Sequence, residues 1–221
     1  PTGCRRCWPM PRRVLRHRVR DLDRRAFVLL ISLLALILMQ SPITWSEAVI
    51  PLATPTGSTC TATAIAVDPP HLVTAAHCLM PGVAQIVVAG APATVLAVDP
   101  TLDVALLRWS RVPAMALPLR EARPQLGETA LLIGYGYGAT QPVYSWGRVS
   151  SLEMGTGLAL DLEPMPGASG GAIVDSAGEL LGIFIGWIGP NTGPTLARAV
   201  PVADLGPLMA AAALATLASP K

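Results

Sequence analysis

The order of its reactive residues restricts this chain more than any other feature. Pro166-Gly167-Ala168-Ser169-Gly170-Gly171 sets a serine among small residues, and the three histidines, His17, His71 and His77, all lie upstream of it. Small neighbours let the serine sit on a tight turn with its oxygen uncovered. Glycine at Gly167 lets the backbone N–H groups of Gly167 and Ser169 turn toward one point, the arrangement that binds a developing oxyanion. A serine hydroxyl is a poor nucleophile at neutral pH and needs a base within hydrogen-bond reach. That base has to come from earlier in the chain.

Taken alone, the motif also fits the G-x-S-x-G elbow of α/β-hydrolases, but those enzymes place their histidine after the serine, so that reading is excluded. Upstream lie Thr74-Ala75-Ala76-His77-Cys78 and Asp103-Val104-Ala105-Leu106-Leu107. The order His, Asp, Ser is that of the chymotrypsin-type triad and not of subtilisin. With T-A-A-H-C, D-V-A-L-L and G-A-S-G-G in sequence, the chain resembles the trypsin/chymotrypsin-like serine proteases over roughly Gly57 to Val202. Three joint motifs are far more specific than any one. The resemblance implies an all-β fold of two six-stranded antiparallel β-barrels, to which the residues themselves add a C-terminal helix and a preceding N-terminal signal or anchor helix.

The residue readings run alongside it. His77 sits in the histidine motif, whereas His71 adjoins a turn and reads as a surface residue. Asp103 is expected inside an apolar strand, where an unpartnered charge is costly, and that cost argues for a partner. Asp99 beside Pro100 reads as a turn residue. The resemblance gives His77, Asp103 and Ser169 the catalytic roles and makes Gly167 and Ser169 the oxyanion hole. It also pairs Cys60 with Cys78, the two cysteines after the leader. Glu163, six before Ser169, falls where trypsin keeps its Arg/Lys-reading aspartate. Gly186 and Trp187 resemble the wall that pairs with the substrate backbone, on a strand one residue longer than usual. Ala168 replaces the aspartate that digestive relatives use to bind a new N-terminus, so no activation of that kind is expected. Compact loops and this substitution make the bacterial type the nearest resemblance.

Charge is unevenly distributed. Residues 1–25 hold nine arginines against Asp21 and Asp23, while from Val49 onward seven Lys/Arg face eleven Asp/Glu. The later part is mildly acidic, and nothing in it points to nucleic acid. Ala26 to Met39 is a run of 14 residues, apolar except for Ser32. That is short for a spanning helix and usual for a signal-peptide core, and the arginines before it set its N-terminus inside. Ser46-Glu47-Ala48 offers small residues for cleavage before Val49. Two rivals stay open: an anchor lengthened through Gln40–Trp45, and a twin-arginine signal at Arg24-Arg25-Ala26-Phe27-Val28. Each sends the later part across a membrane, so the expected location is secreted, periplasmic or otherwise extracytoplasmic, with a membrane tether through residues 26–45 if uncleaved. Cys4-Arg5-Arg6-Cys7 lacks the second pair that zinc requires.

The remaining pattern is one of short β-prone runs broken by Gly, Pro and Asp, with 20 Gly and 22 Pro in the chain. It divides into 1–25 as a basic n-region, 26–48 as signal core or anchor, and 49–113 as a first barrel. A proline-broken linker at 114–127, a second barrel at 128–200 and a helix and tail at 201–221 follow. Gly134-Tyr135-Gly136-Tyr137-Gly138 lacks the lysine and helix of a phosphate loop and reads as a strand end. Alanine-rich Leu208–Leu217 reads as a helix capping the second barrel. Few residues follow Val202, so no further domain is expected. The expected activity is that of an exported serine endopeptidase acting on protein or peptide substrates, without metal or cofactor. The alternative is a catalytically silent binding protein of the same fold at the cell envelope.

Overall fold

The computed structural model describes residues 26–29, 42–54, 57–153, 157–189 and 195–218. The chain divides into two units, Pro1–Ser41 and Pro42–Lys221. In the first, residues 26–29 are helical and exposed. The Cys4/Cys7 pair, the arginine-rich stretch and residues 30–41 lie outside the described residues. Among those described, no helix is long and apolar enough to cross a membrane.

The second unit opens with a helical turn at Pro42–Trp45 and a 3-10 turn at Ser46–Ala48. Among the described residues, twelve strands follow in two closed antiparallel barrels. The first comprises β1 (Val49–Ala53), β2 (Thr59–Ile65), β3 (His71–Ala75), β4 (Gln85–Val88), β5 (Ala91–Asp99) and β6 (Val104–Trp109). The second comprises β7 (Thr129–Gly134), β8 (Val143–Ser151), β9 (Leu158–Leu160), β10 (Ala172–Val174), β11 (Leu180–Ile188) and β12 (Leu196–Pro201). Strand order runs β1-β2-β3-β6-β5-β4 in one and β7-β8-β9-β12-β11-β10 in the other, so the barrels share one topology. Closure leaves no free sheet edge to seed pairing with another chain.

Burial explains the strand compositions. In β6, Val104 to Leu107 are all buried, because one face looks into the barrel and the other is covered. β8 instead alternates between covered and exposed residues, as a strand with one wet face does. β2 is buried on both faces after Thr59. Its Cys60, Ala62 and Ala64 share one face, and Thr61 and Thr63 the other, turned toward the loop that carries Ser169.

The proline-broken linker is stitched to both barrels by single bridges, Leu117 to Ile65 and Leu119 to Leu180. Arg120 extends from it to Glu128 and, at 3.4 Å, to Asp175.

Three expectations are corrected. Val49–Ala53, ahead of Thr59–Val67 where the first β-prone run is expected, is itself a strand and closes the barrel through Leu52 opposite Val88. Asp103 lies just before β6 and not within it, in a turn with φ of +61°. The C-terminal helix (Gly206–Ala218) packs against β5 and β6 of the first barrel, not on the second. The 3-10 turn Val202–Leu205 carries the chain back across, and Leu208 and Ala212 enter the core there.

Candidate active site

The 3-10 turn Ala76–Cys78 follows β3 and presents His77 at its middle. Its imidazole Nδ1 lies 2.7 Å from Asp103 Oδ2. The other oxygen, Oδ1, accepts the His77 backbone N–H at 2.9 Å, and the Asp103 carbonyl accepts that of Ala76 at 3.0 Å. One turn therefore grips the other through both carboxylate oxygens and the main chain. The left-handed backbone of Asp103 turns its carboxylate onto the histidine, which an interior strand position, as expected from sequence, does not do. The two side chains remain partly open, at 48% and 27%. The Asp103 hydrogen bond raises the His77 pKa above the ordinary 6.5, partial burial opposes it, and the carboxylate's charge adds to the rise.

Cys78 forms a disulfide with Cys60 at the start of β2, with Cα atoms 6.2 Å apart. The residue next to His77 is thereby tied to the strand that supports the serine loop.

That loop runs from Met165 to Gly171, and each of its carbonyls accepts a hydrogen bond. Those of Met165 and Ala168 take the N–H of Ala168 (2.9 Å) and Gly171 (2.7 Å), and that of Pro166 takes Tyr137 N–H at 2.7 Å. Ser169 O accepts Thr61 N–H at 2.8 Å, and Gly171 O accepts Phe184 N–H at 2.9 Å. The Thr61 and Thr63 hydroxyls donate to Gly167 O (3.5 Å) and Gly170 O (2.8 Å). A trans peptide is planar with its N–H opposite its carbonyl. Fixing the carbonyls of Pro166 and Ala168 therefore aims the N–H groups of Gly167 and Ser169 the other way. Among the described residues neither N–H has a hydrogen-bond acceptor. Two unused donors two residues apart are what an oxyanion requires.

The turn depends on glycine at two points. Gly167 has φ of +93° and Gly170 of +88°, and a Cβ on Gly170 would lie 1.9 Å from Thr61 O. Ala168 is fully buried, and its Cβ packs on Gly134, leaving no room for a larger residue there. Polar ties from Thr61 and Thr63 of the first barrel hold this loop.

A cleft of about 510 Å³ runs between the barrels and is lined by His77, Cys78, Gly167, Ser169, Gly186 and Trp187 among others. The structure thus brings His77 and Ser169 to one cavity. Among the described residues the Ser169 hydroxyl makes no hydrogen bond, and such contacts commonly tighten only with substrate in place. Trp187 is 55% exposed, while Phe184, three residues earlier, is wholly buried core. β11 carries a bulge between Phe184 and Gly186, and Trp187 beyond it lines the cleft. Glu163 lines a neighbouring cavity, which shares Pro166 and Trp187 as its wall with the cleft. It is exposed and its Oε1 accepts the Tyr137 hydroxyl at 2.8 Å. His71 begins β3 with Nδ1 on Pro69 O, away from the cleft.

Sequence reasoning missed the threonines. Thr61, Thr63 and Thr74 are fully buried, and Thr74 Oγ1 donates to Thr61 O at 2.7 Å. Thr61 Oγ1 also accepts Tyr135 N–H at 2.9 Å. The available signal was the alternation Thr59, Thr61, Thr63 in a strand otherwise built of small apolar residues.

The family model described as the trypsin-like peptidase domain matches residues 60–183. Solved structures of similar fold include the serine endoprotease from Yersinia pestis, at 24% identity and a TM-score of 0.65, covering 76% of this chain. This chain spans 63% of that protein, less than two thirds of its length. Rv3671c from M. tuberculosis H37Rv, as a serine-to-alanine mutant in its inactive form, matches at 20% identity and a TM-score of 0.63, covering 83% and 95% of the two chains. The inactive form of Rv3671c protease matches at 21% and 0.63, covering 78% and 94%. At these identities the likeness is one of fold. No curated protein matches the sequence.

Proposed function

The chain belongs to the trypsin-like peptidase family, and from that membership we propose that it is an exported serine endopeptidase whose catalytic groups are Ser169, His77 and Asp103. One observation carries the reading: a carboxylate fixes His77 in a cleft whose opposite wall holds Ser169 and two backbone donors without acceptors. Asp103 on Nδ1 keeps that nitrogen protonated, so Nε2 is the basic position. Ser169 Oγ attacks the scissile carbonyl carbon while its proton passes to His77 Nε2. The carbonyl oxygen becomes an oxyanion held by the N–H groups of Gly167 and Ser169. Collapse breaks the C–N bond, His77 returns the proton to the leaving amine, and the acyl chain stays on Ser169. Water, deprotonated by His77, then releases the acid.

Trp187 and Gly186 form the wall along which a substrate strand lies, and Glu163 in the adjoining cavity favours a basic residue before the scissile bond. Export places the domain outside the cytoplasm, as the arginine-led apolar segment argues.

The test is labelling with a fluorophosphonate probe. Labelling of the wild type and its loss in Ser169→Ala supports the endopeptidase. Folded, disulfide-bonded wild type that takes no label and cleaves no peptide library favours the silent binding protein.

A further inference from the structure

We infer that Pro42–Ala48 is part of the mature domain, so that maturation does not cut before Val49 and the apolar run stays attached as a tether to the lipid bilayer. Trp45 is 4% exposed and Ala48 wholly buried, both within the main core cluster that also holds Val49, Leu180 and Leu205. The Trp45 indole lies directly over Gly178, in the turn that joins β10 to β11. A Cβ at Gly178 would stand 2.3 Å from the indole Nε1 and 2.4 Å from Cε2, so the turn is shaped around this ring. Four residues after Trp45 the chain enters β1, which closes the first barrel. Cleavage before Val49 removes the ring and leaves beneath it a glycine with nothing to fill the space. Close-packed interiors relax only partly around such a loss.

Signal peptidase needs small residues one and three positions before its cut. Between the end of the apolar run and Val49, that spacing occurs at Ser46-Glu47-Ala48 and at Thr44-Trp45-Ser46, and cutting after either removes Trp45. Ser41 fails, with Met39 at the third position. The packing and the cleavage rule therefore exclude each other, and no suitable site separates the run from the domain. The apolar run Ala26–Met39 is shorter than the roughly 20 residues of a usual span, and Arg24 and Arg25 before it are of the long, charged type that accommodates such a mismatch at the headgroups. The arginine excess holds the N-terminus on the inner side.

This inference stands apart from the peptidase reading, because its readouts are mass, membrane retention and stability. The full chain, tagged at its C-terminus and expressed with its own N-terminus, is purified from washed membranes and its N-terminus determined by mass spectrometry. The expected result is recovery in the alkaline-washed membrane fraction with residues 26–48 intact. An N-terminus anywhere from Gln40 to Val49, or release into the soluble fraction, overturns it. Trp45→Ala in the same chain is expected to lower the thermal midpoint by roughly 10 °C, with Trp45→Phe intermediate. Where Trp45→Ala fails to accumulate, Trp45→Phe supplies the measurement. An unchanged midpoint in the variant measured overturns the packing argument.

Discussion

Both oxygens of Asp103 are engaged by His77, one by the ring and one by the backbone: Oδ2 lies 2.7 Å from Nδ1 and Oδ1 accepts the main-chain N–H at 2.9 Å. The carboxylate thus fixes the position of the histidine's turn and the rotation of its ring together. Because Oδ1 holds the backbone, the ring contact does not depend on the flexibility of a lone side-chain pair.

Replacing Asp103 with Asn separates these functions. The amide oxygen can still accept the backbone N–H, but the amide N–H₂ then faces Nδ1 and favours the wrong tautomer. Turnover is expected to fall by about four orders of magnitude, the size seen for this change in a related triad, with the thermal midpoint little changed. Steady-state kinetics beside a melting curve checks both, and a loss of less than tenfold contradicts the assigned role.

The pH dependence follows from the raised His77 pKa. Neutral imidazole is the working form, so kcat/KM is expected to rise with pH through a midpoint above 6.5, and Asp103→Asn moves that midpoint down. Stability runs the opposite way. A group whose folded pKa is raised stabilises the fold fully below its unfolded value of 6.5, and that contribution is lost as pH climbs through the folded pKa. Rate profiles and melting curves across this window are therefore expected to slope in opposite directions.

Thr63 holds the serine loop from the other barrel. Thr63→Val keeps the shape but leaves Gly170 O without its side-chain donor, and is expected to cost about 1–3 kcal/mol. It is also expected to lower kcat more than it raises KM. Thr63→Ser restores the hydroxyl and most of the rate. Chemical denaturation and kinetics of both variants decide whether the hydroxyl or merely the packing matters.

The bridge from Cys60 to Cys78 closes a loop of sequence separation 18. Replacing both cysteines with alanine is expected to destabilise the domain by about 3 kcal/mol on the chain-entropy account. Since Cys78 adjoins His77, fluorophosphonate labelling is expected to slow as well. Denaturation midpoints and labelling rates test the two effects separately.

Glu163 is exposed, so the influence on substrate choice proposed for it is a modest one. Glu163→Gln is expected to reduce kcat/KM by about two- to fivefold for peptides with Lys or Arg before the scissile bond. Peptides with an uncharged residue there are expected to be unaffected. Equal losses across a peptide library assign Glu163 to structure alone, through its bond with Tyr137.

The primary sequence by itself determined the kind of fold and marked the groups proposed to react. His77, Asp103 and Ser169 sit in short motifs whose side chains and flanking small residues are local properties, and two sets of short β-prone runs are equally local. Tertiary structure alone decided how those groups are held. Thr61 and Thr63 act on carbonyls more than 100 residues away, and no local pattern records which strand face meets which loop. Asp103 reads as a strand residue because its neighbours are apolar, yet its left-handed turn serves a partner 26 residues earlier. Trp45 reads as the tail of a hydrophobic leader until Gly178, far along the chain, provides the space that buries it. Hydrophobicity and turn chemistry act between neighbours, whereas hydrogen-bond partners and ring packing depend on closure of the two barrels, which brings distant segments within a few ångströms.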